Sequence, residues 1–185
     1  MKKVIKLVGL LLSLVLVTGC AYLNDYTNQS AQVKQDFIDR IAKDVVEVNQ
    51  NTTILNSFVI AQAALESNYG RSELAENYHN LFGVKAGSQS KNKVTLPTQE
   101  YVNGEYKTYN LDFQVYQSDK EAIQAHQKLL LYGTTWNSSQ YERVLKSKNY
   151  KEASVALQKS GYATDPEYAD KIISVIEAYS LYNYD

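Results

Sequence analysis

Apolar residues recur every three to four positions at Val33, Phe37, Ile41, Val45 and Val48. That spacing lines one face of a helix, so an amphipathic packing helix is predicted over Ser30 to Asn51. The next run, from about Ser57 to Tyr69, is apolar on nearly every side: Phe58, Val59, Ile60, Ala61, Ala63, Ala64 and Leu65. Such a helix must be covered by neighbours all round, and Gly70 is placed to end it. Between Lys93 and Tyr116 the pattern becomes strand-like, with Asn103-Gly104 as the two-residue turn that type I′ hairpins favour. About that turn Val102 faces Glu105, Tyr101 faces Tyr106 and Glu100 faces Lys107. Ser118 followed by Glu121 is a capping box for a helix running to about Tyr132. Asp165-Pro166 provides the N-cap and first-turn proline of a last helix ending near Leu181, and Gly161 closes the helix before it. The pattern predicts six or seven helices and one hairpin, an α+β domain that is mainly helical.

The first thirty residues follow a different logic. Lys2, Lys3 and Lys6 open the chain, Leu7 to Val17 is an apolar run broken only by Gly9 and Ser13, and Val17-Thr18-Gly19-Cys20 follows. A charged start, a short apolar stretch and small residues before a cysteine read as an export signal, since the run is too short to span a bilayer. The last four residues resemble the lipobox of bacterial lipoproteins. The expectation is a signal peptide over 1–19, a diacylated Cys20 as the new N-terminus, and a polar tether through residue 29. It places the domain from residue 30 to 185 on the outer face of the cytoplasmic membrane, lipid-anchored and facing the cell wall. Cys20 is the only cysteine, which excludes an internal disulfide.

Cleavage there removes three lysines and leaves 16 basic residues against 20 acidic ones, a net charge of about −4. That balance argues against nucleic acid as a partner. About 165 residues remain, enough for one domain with a core of its own, expected to be a monomer.

Among the charged residues Glu66 stands apart. It follows Leu65 on the apolar helix and lies four positions before Gly70, so its carboxyl emerges where an apolar wall ends. Desolvation disfavours the charged form. A carboxylic acid still protonated near neutral pH can give its proton to a glycosidic oxygen. Position alone favours the plainer reading, a helix-end ion pair with Arg71 or Lys85.

The surrounding residues carry a resemblance. Ala61-Gln62-Ala63-Ala64-Leu65-Glu66-Ser67-Asn68-Tyr69-Gly70-Arg71-Ser72-Glu73-Leu74-Ala75 is followed by Asn80-Leu81-Phe82-Gly83-Val84-Lys85. Further along come Thr98-Gln99-Glu100, Phe113-Gln114-Val115-Tyr116 and Gly161-Tyr162-Ala163-Thr164-Asp165-Pro166-Glu167-Tyr168. In this order the blocks resemble the endo-β-N-acetylglucosaminidase domain of glycoside hydrolase family 73. The resemblance implies a lysozyme-like fold with a hairpin beside the cleft, peptidoglycan glycan strands as substrate, and Glu66 as general acid. Tyr69 departs from it, standing where the family often carries tryptophan, and keeps an aromatic ring for packing.

The same resemblance matches Glu100 to the family's second carboxylate. Two readings stay open: a base that activates water on the opposite sugar face, or a cross-strand partner of Lys107. In the second case the substrate's own 2-acetamido oxygen would attack the anomeric carbon. Asn80, Phe82 and Gly83 are expected to shape the cleft floor, and the resemblance implies that the Asn80 amide, which both donates and accepts, helps position the N-acetylated sugar; Phe82 is equally at home in a core. The resemblance implies substrate contacts for Tyr116 and Tyr168 and a catalytic role for Tyr162, in the loop after Gly161, in orienting the acetamido group.

No cofactor or metal is expected, because His79 and His126 belong to no ligand pattern. Ser67 and Ser72 lack the elbow motif of acyl-transfer hydrolases. Two alternatives remain: a lytic transglycosylase, which closes an anhydro ring without adding water, and a catalytically inactive lipoprotein that only grips glycan.

Overall fold

The structure is a computed structural model that describes residues 27–102 and 105–185, with only the backbone described for 99–102 and 106. The leader, Cys20 and the Asn103-Gly104 turn lie outside the described residues.

Helix α1 covers residues 27–49 of the described chain. Thr27, Asn28 and Gln29, the last residues of the expected tether, are helical. They lack an apolar stripe, but extending an existing helix costs far less than starting one. Within residues 27–36 the Gln32 amide donates to Asp36 at 2.8 Å, and Val33 is exposed. From Phe37 onward the expected stripe is buried at Phe37, Ile41 and Val45, joined by Ile38 and Ala42.

Helix α2, Asn56–Glu66, is buried at every position from Ser57 to Ala64, as its all-round apolar sequence requires. It packs against α7 (Tyr168–Ala178), α6 (Tyr150–Lys159) and the 3₁₀ helix η1 (Leu181–Tyr184). Its start lacks a cap from its own N-cap residue, Leu55. The cap comes from far along the chain, where Asp185 accepts from the Ser57 backbone N–H at 2.9 Å and from its hydroxyl at 2.7 Å. A carboxylate at a helix N-terminus also meets the positive end of the helix dipole.

The remaining elements are α3 (Glu73–Tyr78), β1 (Lys93–Val102), β2 (Glu105–Gln114), α4 (Asp119–Tyr132) and α5 (Glu142–Leu145). The α4 capping box forms: Ser118 Oγ accepts from the Glu121 N–H at 3.2 Å, and Glu121 reaches back to the Gln117 N–H at 2.6 Å. The strands β1 and β2 pair antiparallel with Val102 opposite Glu105, Tyr101 opposite Tyr106 and Glu100 opposite Lys107, the register that the turn residues imply. The last helix is shorter than expected. Asp165 accepts from the Glu167 N–H at 2.9 Å in a turn that leads into α7 at Tyr168. At the other end the left-handed Ser180, φ 51°, breaks the helix ahead of η1.

Candidate active site

The end of α2 builds the site. The helix stops at Glu66, four residues before Gly70, because Ser67 Oγ turns back to the Ala63 carbonyl at 2.5 Å and accepts from the Gly70 N–H at 2.7 Å. The expected helix to Tyr69 is corrected accordingly. Asn68, Tyr69 and Gly70 then take left-handed φ values of 50°, 56° and 75° in succession. For the two residues that carry a Cβ this costs about 1 kcal/mol each. Packing holds Tyr69 there: its ring lies edge-on to Phe37 at 6.3 Å and tilted against Tyr179 at 5.9 Å. Gly70 admits no substitute, since a Cβ would come within 2.6 Å of the Phe37 ring. Glu66 is thereby the last helical residue and its carboxyl leaves the core at a fixed point.

That carboxyl opens into a cleft of about 610 Å³ lined by Glu66, Phe82, Gly83, Lys85, Tyr162 and Tyr168, among others. Glu66 is solvent-accessible on the cleft side and crowded on the protein side. Desolvation raises its pKa above the ordinary carboxylate value, against the lowering effect of a hydrogen bond from Tyr168. The negative end of α2 acts in the same sense as the desolvation. The Tyr168 hydroxyl donates to Glu66 Oε1 at 2.5 Å and accepts from Gln62 Nε2 at 3.3 Å. Gln62 Oε1 meets His126 Nε2 at 3.0 Å. His126 is buried, its pKa pushed down to about 3 by desolvation, and its ring stacks on Phe82 at 4.0 Å. Tyr162 stacks against Tyr168 at 5.9 Å. Burial first, and the Glu66 charge second, push both phenols up, so both keep their protons. Arg71 turns away from Glu66 to bond Asn68 Oδ1 at 3.0 Å.

Five of the predicted residues therefore meet in one cleft: Glu66, Phe82, Gly83, Tyr162 and Tyr168. Phe82 is both floor and core, as its position allowed. Asn80 is placed otherwise. It is 1 % exposed, and its amide donates to the carbonyls of Val84 and Gln114 and accepts from the Val84 N–H, each at 2.9 Å. The side chain holds the loop 80–84 against the base of the hairpin. Tyr116 is buried and not among the residues lining the cleft, with its pKa pushed up to about 12 by desolvation. The Glu100 side chain lies outside the described residues; its backbone pairs with Lys107. The hairpin base is joined to the cleft rim through Gln114 N–H to Val84 at 2.9 Å and Ala86 N–H to Asp112 at 2.8 Å.

Gln62 and His126 were not anticipated as site residues. One signal existed for Gln62: it stands four residues before Glu66, hence on the same helix face.

A family model described as glucosaminidase, mannosyl-glycoprotein endo-beta-N-acetylglucosaminidase, matches residues 42–181. The exo-glucosaminidase LytG of Bacillus subtilis is 45% identical over 152 residues, 82% of this chain and 54% of that protein. The peptidoglycan hydrolase FlgJ of Salmonella typhimurium is 36% identical over 148 residues, 77% of this chain and 45% of that one. The chain thus spans about half the length of these relatives or less. Among solved structures, the catalytic domain of the autolysin Auto from Listeria monocytogenes superposes with a TM-score of 0.77 at 39% identity, covering 83% of this chain and 88% of that domain. Sequence, fold and the cleft around Glu66 agree, and the chain belongs to the glucosaminidase family of glycoside hydrolases.

Proposed function

We propose that this protein is a peptidoglycan hydrolase that cuts the β-1,4 bond after N-acetylglucosamine inside the glycan strand, with Glu66 as the general acid. The observation that carries this reading is the Glu66 carboxyl at the end of a buried helix, desolvated and held by Tyr168 at 2.5 Å inside a sugar-sized cleft. In its protonated form it gives a proton to the leaving glycosidic oxygen as the bond to the anomeric carbon breaks. Tyr168 then stabilises the carboxylate left behind. Water is activated either by Glu100 or after attack by the substrate's acetamido oxygen, which Tyr162 on the cleft wall would orient. Relatives named exo-glucosaminidase, peptidoglycan hydrolase and probable N-acetylmuramidase support the substrate class and differ over bond and cleavage mode.

Mass spectrometry of fragments from purified peptidoglycan tests all of these points together. Internal fragments with N-acetylglucosamine at the reducing end are expected. N-Acetylmuramic acid at that end would overturn the bond assignment, and release of terminal sugars alone would make the enzyme exo-acting. Products lighter by one water would make it a transglycosylase, and no release at all would leave a glycan-binding protein. The location is tested separately: we propose that Cys20 carries lipid and holds the domain on the outer face of the cytoplasmic membrane, since two acyl chains anchor stably where one does not. Cys20→Ala should free the protein from membranes, and retention at high salt would refute the anchor.

A further inference from the structure

The chain of contacts behind Glu66 has a direction, and the direction is set at its far end. His126 is buried and neutral, so its ring carries one N–H. Its Nδ1 has no hydrogen-bond partner among the described residues, and buried N–H donors are left orphaned more rarely than acceptors. The hydrogen therefore sits on Nε2, where Gln62 Oε1 accepts it at 3.0 Å. With its oxygen held, the Gln62 amide can present only N–H to Tyr168, at 3.3 Å. Tyr168 must accept there, which leaves its own hydrogen one destination, Glu66 Oε1 at 2.5 Å.

We propose that His126 and Gln62 are positioning residues that aim the Tyr168 hydroxyl at Glu66 Oε1, so that the transferable proton of the acid sits on Oε2. The inference rests on Glu66 being the acid. An inverted amide would let Tyr168 donate to Gln62 instead, and the acid would lose both its fixed proton position and the donor awaiting its carboxylate form. His126 reaches the same site by a second route, because its ring supports Phe82 of the cleft floor at 4.0 Å and meets the Tyr162 edge at 6.0 Å.

His126→Phe keeps an aromatic ring for the stack and removes the donor. Its kcat on peptidoglycan should fall about three- to tenfold, the worth of one net hydrogen bond, with KM unchanged. Tyr168→Phe should fall at least as far, and His126→Phe combined with Tyr168→Phe should be no slower than Tyr168→Phe alone, because the relay has nothing left to aim. Additive losses, a change confined to KM, or an unchanged kcat in His126→Phe would overturn the relay. If His126→Phe does not fold, ¹⁵N NMR of the wild-type imidazole still decides: hydrogen on Nε2 with a bare Nδ1 supports the relay, and hydrogen on Nδ1 ends it. Glu66→Gln assayed alongside separates the two levels. Retained activity there removes the acid itself, whereas an inactive Glu66→Gln beside an indifferent His126→Phe removes only the relay.

Discussion

The end of α2 and the β1–β2 hairpin present the two carboxylates expected of a glycosidase on opposite kinds of support. Glu66 leaves a helix that is buried on all sides, is followed by three left-handed residues clamped by Phe37 and Tyr179, and is bonded by a phenol tied to the core. Glu100 sits near the far end of a two-stranded ribbon that buries only Phe113 among its described side chains. A two-stranded ribbon has little independent stability and draws its order from its base. The Glu66 carboxyl is thus fixed before any substrate arrives, whereas Glu100 is described only by the pairing of its backbone with Lys107. Chemistry that needs one proton at one point belongs on the first kind of support; a group that must approach from the other sugar face can be carried on the second.

The strongest way to break this comparison is Glu66→Gln. Activity on peptidoglycan should drop by at least ~10²-fold, the lower end of what a positioned acid contributes, while glycan binding survives. Because the folded pKa of Glu66 is raised, its contribution to stability is fully present below the ordinary carboxylate value of 4.5 and lost as pH rises through the raised value. The melting temperature of Glu66→Gln at neutral pH should therefore equal or exceed that of wild type. For the same reason wild-type kcat should decline as pH climbs through the raised value, since the acid is then deprotonated. A Glu66→Gln protein that melts early and cuts normally would make this residue structural.

Glu100→Gln sharpens the other half. A loss within ~10² to 10⁴ places a general base on the hairpin. A loss under about fivefold, well below that range, gives the water-activating role to the substrate's acetamido group and leaves Glu100 as a partner of Lys107. Turnover of soluble glycan fragments by the purified, folded variant reads this directly.

Gly70→Ala addresses what holds the Glu66 carboxyl in place. A Cβ at φ 75° and 2.6 Å from Phe37 cannot be accommodated, so a destabilisation above ~1 kcal/mol is expected in urea unfolding. Activity should fall in the folded fraction too, as Glu66 shifts. The smallest effect belongs to the ribbon. Lys93→Met removes an exposed ion pair with Asp112 of 2.6 Å, and the urea midpoint should stay where it is. A large shift there would mean that the hairpin carries stability its exposure does not suggest.

Much of this was legible in the chain. The all-round apolar run gave α2, Ser118 with Glu121 gave the start of α4, and Asn103-Gly104 gave the strand register, since each is a local signal with a local mechanism. The turn after Glu66 was not legible in detail. Asn68 tolerates a left-handed backbone, but nothing local marks Tyr69 for one; it is held there by rings from α1 and from the residue after α7. Asn80 looked like a sugar ligand because an amide both donates and accepts, and only the fold shows the Val84 and Gln114 backbone taking up those bonds. Gln62 and His126 stayed hidden because their meaning lies in contact with each other across 64 positions.

The bonds between Ala86 and Asp112 and between Gln114 and Val84 extend the ladder of the hairpin by one rung into the cleft rim, where Lys85 bridges Phe113. Amide hydrogen exchange would feel this as a shared opening event. The Ala86 and Gln114 amides should exchange together and more slowly than strand amides nearer the tip. Bound glycan, by restraining the rim at Gly83 and Lys85, should slow both without touching the tip. The rim of the cleft and the root of the ribbon then breathe as one cooperative unit, and two backbone protons report its opening.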